Sequence, residues 1–216
     1  MKIAVIGTGM VGRTLGTKLT DLGHEVMMGS RTADNETAVE WAEGAGDSAS
    51  HGTFADAADF GELTVNCTPG GVSLDALRAA GAENLAGKTL LDVANPLDFS
   101  KGMPPTLLFC NTESLGEWIQ EAFPEAKVVK SLNTMNAAVM TDPGVVKGDH
   151  DVFVCGNDDS AKRQVVELLE SFGWPSDNII DLGDITASRG TEMFLALWLR
   201  LYSTMGGGQF NIRAVR

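Results

Sequence analysis

Cysteine is scarce in this chain of 216 residues, which holds only Cys67, Cys110 and Cys155. The number is odd, the spacing is wide, and no CxxC or Cys/His cluster occurs. That excludes a disulfide framework and a structural zinc site, and no metal is expected. The three read as reduced thiols of a cytoplasmic protein. Histidine is equally scarce. His24 opens a strand after Gly23, where a structural role fits, and His51 and His150 sit in polar stretches and read as solvated. No Ser-His-Asp set can be assembled. Positive charge is short as well: 16 Lys and Arg against 29 Asp and Glu leave a net charge of −13. A nucleic-acid partner needs a basic face, which this balance argues against. No apolar run reaches membrane-spanning length. No basic stretch followed by an apolar one marks a signal peptide, because strand-like sequence begins within two residues of Met1.

What is present is an alternation. Apolar blocks at Lys2–Ile6, Glu25–Met28, Leu63–Asn66, Thr89–Val93, Lys127–Leu132, Asp151–Cys155 and Asn178–Asp181 read as strands. Helical spacing fills the gaps at Met10–Leu22, Asn35–Glu43 and Leu74–Ala80. Residues 51–60 read as a brief strand and a helical turn. Ser114-x-x-Glu117 has the form of a capping box for a helix ending at Phe123, and Asn157 is expected to cap a helix ending at Phe172. A closing helix spans about Ile185–Met205. Short buried strands alternating with helices predict an α/β fold with a mostly parallel, doubly wound sheet covered on both faces.

"GTGMVG" supplies Gly7, Gly9 and Gly12 between the first strand and the first helix. This is the dinucleotide fingerprint in the context that gives it meaning. Gly7 permits the tight turn, Gly9 lets a pyrophosphate approach the backbone, and Gly12 lets helix and strand pack closely. The helix N-terminus then offers free N–H groups and partial positive charge to the anion. The fold is therefore of Rossmann type. Residues 1–183 form its nucleotide-binding domain, and residues 184–216 form a small C-terminal helical appendage with a Gly-rich tail.

Roughly 20 residues past the fingerprint, an NAD-binding chain carries an acid that bonds the ribose 2′-OH. Here Gly29-Ser30-Arg31 stands in its place. No carboxylate repels a 2′-phosphate, Ser30 brings a hydroxyl donor, and Arg31 brings a planar guanidinium suited to phosphate oxygens. The expected cofactor is NADP. From Asp34 to Asp59 the chain then runs acidic, without a Lys or Arg.

These motifs, with "CTP", "ANP", "VVKSLNTMNAAVM", "VFVCGNDD" and the "MGGGQFNIR" tail, make nearly the whole chain resemble the NADPH-dependent coenzyme F420 reductases. The N-terminal pattern is also similar to the cytosolic domains of STEAP-type metalloreductases, which use a flavin. The resemblance implies NADP contacts at Thr8, Gly9, Met10 and Val11 in the turn, and at Ser30 and Arg31. It implies that Cys67-Thr68-Pro69 and Ala94-Asn95-Pro96 lie under the ribose and nicotinamide, with Ala137 close by. It further implies that Asn133, Thr134 and Met135, with Gly206 and Gly207 of the tail, shape the second pocket. Two departures from the family pattern stand out. No second Lys or Arg follows Arg31 before Arg78, and Gly70-Gly71 replace bulkier side chains, which predicts a wider pocket.

Hydride transfer between a nicotinamide and a deazaflavin asks the protein for ring positioning and exclusion of water rather than for an acid or base. No catalytic side chain is assigned. Lys130 lies in an apolar strand, either facing a cleft as an acid or sitting at an ordinary strand edge. Cys67 reads as small buried packing. The closing helix is apolar nearly all round through Phe194, Leu197, Trp198 and Leu201, so it should be buried on more than one side. The second side is expected to be another subunit, giving a homodimer. The expected function is hydride transfer between NADP and coenzyme F420, a small-molecule redox partner, with FAD or FMN as alternative acceptors. The rival readings are an NADPH-dependent reductase of a small carbonyl, imine or ferric-flavin substrate, and an NADPH-binding sensor without turnover.

Overall fold

A computed structural model describes residues 1–215. In chain order the elements begin β1 (Lys2–Ile6), α1 (Met10–Asp21), β2 (Glu25–Ser30), α2 (Glu36–Ala45), β3 (Ala49–Thr53), α3 (Phe54–Phe60) and β4 (Leu63–Asn66). They continue with α4 (Gly70–Ala80), α5 (Ala82–Leu85), β5 (Thr89–Asp92), β6 (Leu97–Asp98), β7 (Thr106–Leu107) and α6 (Leu115–Ala122). The last are β8 (Lys127–Ser131), α7 (Ala137–Thr141), β9 (Val152–Gly156), α8 (Asp159–Phe172), β10 (Ile179–Asp181), α9 (Ser188–Met193) and α10 (Leu195–Met205).

Eight strands form one sheet in the order β10-β9-β8-β5-β4-β1-β2-β3, and β6 and β7 make a separate hairpin. From β3 across to β8 every neighbouring pair is parallel. β9 lies antiparallel to β8, and β10 follows β9. The apolar block of β1 is central, and Ile3 to Ile6 are fully buried. Its side chains alternate between faces, as a pleated strand requires. Ile3 and Val5 join the larger core with Leu15, Trp41, Val139, Leu168 and Phe172, which belong to α1, α2, α7 and α8. Ala4 and Ile6 point the other way, toward Ala57 of α3 and Ala76 of α4. That second face continues through Leu77, Leu85, Ile119, Phe123 and Ile185. Each such large side chain contributes about 1.5–3 kcal/mol on leaving water.

The chain runs outward from β1 to β3, then returns to build β4, β5 and β8 on the other side of β1. Between β1 and β4 the strand order reverses, so the loops leaving their carboxyl ends part and open a crevice, where ligands bind in such sheets.

Several expectations need correction. Asp158, not Asn157, caps α8 by accepting from the Ala161 N–H, while the Asn157 side chain accepts from the Ile185 N–H. Both residues can cap, and the distant partner took the first of them. His150 is buried rather than solvated. Its Nε2 lies 3.0 Å from the Pro143 carbonyl, its Nδ1 is 3.0 Å from Asn211 Nδ2, and its ring meets Trp174 edge-on at 5.1 Å. Donation to the carbonyl and acceptance from the amide select the Nε2–H tautomer. His51 lies in edge strand β3 and is exposed, as its polar surroundings suggest. The closing helix is a short 3₁₀ turn followed by α9 and α10, and in α10 only Leu195 is buried. Within one chain this helix is not a core helix. Leu197, Tyr202 and Met205 are 55%, 47% and 62% exposed.

Candidate functional site

The glycine turn after β1 has the geometry its spacing predicts. Gly7 adopts φ +116°, and a Cβ there would stand 3.0 Å from the Cys67 carbonyl oxygen. A Cβ on Gly12 would stand 2.0 Å from the Gly7 carbonyl oxygen, so α1 can approach the turn only without one. Gly9 faces open space, with nothing within 4 Å of the position a Cβ would take. Side chains of Asn35, Thr53, Ser114, Asn136 and Asp158 cap α2, α3, α6, α7 and α8. No side chain caps α1. Its first N–H groups are thus left for an outside acceptor.

At the end of β2, a Cβ on Gly29 would meet Ala57 Cβ at 2.9 Å, so this glycine seats α3. Ser30 is buried, and its hydroxyl donates to the Thr32 carbonyl at 2.5 Å. It shapes the turn that follows β2, a different role from the free donor read from sequence. Arg31 is exposed, and no carboxylate pairs with it among the described residues. His51 Nδ1 lies 2.9 Å from the Ala33 carbonyl and braces the same loop.

The loops after β4, β5 and β8 form the other end of the crevice. Thr68 Oγ1 donates to Asn66 Oδ1 at 2.7 Å, and Asn66 Nδ2 donates to Asp92 Oδ1 at 2.8 Å. Asn95 and Asn133 pair reciprocally: Asn95 Nδ2 donates to the Asn133 carbonyl at 2.8 Å, and Asn133 Nδ2 donates to Asn95 Oδ1 at 2.9 Å. Leu132 is held at φ +63°, a left-handed conformation that turns the chain sharply off β8. The Thr134 hydroxyl is buried without a partner. Burial, then the charge of Asp92, pushes the Cys67 thiol far above its ordinary range. It is therefore an unreactive packing group.

A family model described as "NADP oxidoreductase coenzyme F420-dependent" matches residues 2–96. Across 96% of both chains, the sequence is 32% identical to the F420-dependent NADP reductase of Methanocaldococcus jannaschii. The chain belongs to this family. A crystal structure described as an F420-dependent NADP-reductase, from Arthrobacter sp. FB24, superposes along the full length of both chains with a TM-score of 0.95 at 55% identity. Metalloreductase STEAP3 of Rattus norvegicus is 28% identical over 93% of this chain, which spans 37% of that longer protein.

In this family member the residues singled out from sequence gather on one edge of the sheet. Gly7, Thr8, Gly9, Met10, Val11 and Gly12 follow β1, and Ser30 and Arg31 end β2. Cys67-Thr68-Pro69 follow β4, Ala94-Asn95-Pro96 follow β5, and Asn133, Thr134, Met135 and Ala137 follow β8. Because these strands are parallel, their carboxyl ends share that edge. The reversed β9 brings its amino end there, and the tail docks on it: the Asp151 N–H donates to the Ile212 carbonyl at 2.8 Å. Gly206 and Gly207 end α10, and the missing Cβ of Gly208 leaves room for Asn136, whose Nδ2 would lie 2.6 Å away. Gly70 does not widen a pocket. A Cβ there would stand 2.2 Å from the Asn95 carbonyl oxygen, so the backbone of the β5 loop already fills that space.

Sequence reasoning missed a buried polar chain under these loops. Lys130 is neither at an edge nor facing a cleft, since β8 lies between β5 and β9. Its Nζ is 2.8 Å from Asp92 Oδ2 and 2.8 Å from Glu192 Oε1, and it donates to the Ala94 carbonyl at 2.5 Å. Glu192 in turn accepts from the Leu115 and Gly116 N–H groups at 2.8 and 3.0 Å, at the start of α6. Burial is the largest influence on the Lys130 ammonium and draws its pKa down, but the charges and hydrogen bonds of Asp92 and Glu192 together outweigh it and raise it. The available signal was charge inside apolar segments: Asp92 after Leu90-Leu91, Lys130 after Val128-Val129, and Glu192 before Met193-Phe194-Leu195.

Proposed function

We propose that the chain catalyses hydride transfer between NADP and coenzyme F420, a reading supported by its family and by a relative named F420-dependent NADP reductase. The observation that carries this reading is the open, uncapped N-terminus of α1 over Gly9, with an exposed Arg31, unpaired among the described residues, at the end of the neighbouring strand. Together they fit a pyrophosphate and a 2′-phosphate. The chemistry that the bound pair would supply is a two-electron hydride exchange between nicotinamide and deazaflavin. Met10, Val11 and Gly12 would offer N–H groups to the pyrophosphate, and Arg31 its guanidinium to the 2′-phosphate. Cys67 to Pro69 and Ala94 to Pro96 would floor the ring end, with Ala137 beside it. Asn133, Thr134, Met135, Gly206 and Gly207 would shape the second pocket. No proton donor is required of the chain, in keeping with a Lys130 whose three donors are all engaged.

Residues 1–183 would act as the nucleotide domain and 184–216 as the segment that closes it. A second copy of the chain would cover α10, and a cytoplasmic setting would suit the reduced thiols. The reading is tested by mixing the protein with NADPH and, separately, coenzyme F420, FAD, FMN or a ferric chelate, and following NADPH absorbance. Consumption with F420 is expected. Turnover only with a flavin or chelate would overturn the choice of partner, and turnover with none would favour a sensor.

A further inference from the structure

We infer that Lys130 is a positioning residue for hydride transfer: the buried Asp92–Lys130–Glu192 triad holds the loops after β4, β5 and β8 in one register and ties the C-terminal helices to them. This rests on the reading above of where the nicotinamide lies.

The geometry is saturated. An ammonium has three donors, and Lys130 directs them at Asp92, Glu192 and the Ala94 carbonyl, with the side chains of Lys130 and Asp92 fully buried and that of Glu192 3% exposed. Two carboxylates face one ammonium, a surplus of one negative charge. The surplus is met by fixed donors: the Leu115 and Gly116 N–H groups on Glu192, and the Asn66 amide and Ala94 N–H on Asp92. Burying such a set gains little stability over a well-packed apolar trio, while breaking it strands a charge. Its distinctive consequence is register. Lys130 fixes the Ala94 carbonyl, and the next residue, Asn95, grips Asn133 after β8. Asp92 fixes Asn66, which holds Thr68 after β4. Glu192 lies in α9, directly before the helix and tail that reach Asn136. Among the described residues, no hydrogen bond or ion pair joins the glycine turn or Arg31 to the triad. Loss of the cation should therefore disturb the ring end of the site and spare the phosphate end.

The test uses Lys130→Met/Asp92→Asn, which removes one charge of each sign together, and Glu192→Gln. Circular dichroism establishes folding. Affinity is measured for NADP and for adenosine 2′,5′-bisphosphate, which carries only the phosphate end. Single-turnover hydride transfer is then followed at saturating NADPH. Bisphosphate affinity within about twofold of wild type is expected, with hydride transfer slowed by on the order of 100-fold, the effect of misplacing reacting groups by about 1 Å. A folded variant with the wild-type rate would overturn the inference. So would equal losses of NADP and bisphosphate affinity, which indicate general damage. Should the double variant fail to fold, Glu192→Gln carries the same two readouts. If wild-type protein shows no turnover, the functional reading fails on its own. The triad is then judged by the ratio of NADP to bisphosphate affinity, and an unchanged ratio in the variants overturns it.

Discussion

Arg31 is the residue on which cofactor choice turns. It is exposed, unpaired among the described residues, and followed by an acidic stretch with no second cation. A charge-assisted hydrogen bond contributes about 1.5–3 kcal/mol, so Arg31→Ala should weaken NADPH binding by about 10- to 100-fold. NADH, lacking the 2′-phosphate, should bind the variant almost as it binds wild type. Fluorescence titration with both cofactors checks this, and equal losses would show that Arg31 serves the fold instead. Gly70 makes a second residue-scale case. Its absent Cβ is required by the Asn95 carbonyl 2.2 Å away, so Gly70→Ala must displace backbone. A stability loss of about 1–3 kcal/mol is expected, as for other overpacked sites. Slowed hydride transfer should accompany it, measured by thermal melting and stopped flow. Gly71→Ala, whose Cβ would meet only Leu108 at 3.5 Å, should be nearly silent in both.

Among the elements, α6 joins the appendage to the domain. Glu192 accepts from its first N–H groups, Ser188 Oγ lies 2.7 Å from Ser114 Oγ, and Arg189 grips Glu117 with Nε and Nη2 at 2.8 and 2.5 Å. The capping box read from Ser114-x-x-Glu117 is half realised. Ser114 accepts from the Glu117 N–H, but the Glu117 carboxylate turns to Arg189 and to the Ser114 hydroxyl. The Arg189 hydrogen bond, opposed by burial and aided by Ser114, holds the Glu117 carboxyl below its ordinary value of 4.5. A depressed carboxyl stabilises the fold above that ordinary value and loses the contribution as pH falls through the lower folded one. Glu117→Gln should therefore lower Tm at pH 7 by the equivalent of about 1 kcal/mol, since the pair is partly exposed. The gap from wild type should narrow steadily below about pH 4.5. Thermal melts across that range decide it, and a gap independent of pH would assign the loss to packing.

For the molecule as a whole, the open question is what covers α10. Leu197, Tyr202 and Met205 stand exposed on it, and the Trp198 Nε1 is buried without a partner. The second copy of the chain proposed above would cover this face, through an apolar contact that keeps the acidic surfaces of the two copies apart. Sedimentation velocity should find a dimer, and Leu197→Asp should shift it to monomer with the domain still folded. A wild-type monomer would leave the face to another partner. Among the described residues, no helix is long and apolar enough to cross a membrane.

The strand and helix alternation, the parallel sheet, the glycine turn and the place of Arg31 were all legible in the sequence. Each depends on local chemistry: an apolar block buries itself, and a turn against a helix N-terminus admits only glycine at Gly7 and Gly12. The tertiary structure alone decided which distant residues meet. Asp92 and Lys130 pair because β8 lies beside β5, and Glu192 reaches them only after α9 folds back over α6. The same holds for the burial of His150, for Gly70 against Asn95, and for how little of α10 the chain itself buries. Periodicity reports that a side chain will leave water. Only the arrangement of elements sets its neighbour, because the partner comes from elsewhere in the chain and no spacing encodes it.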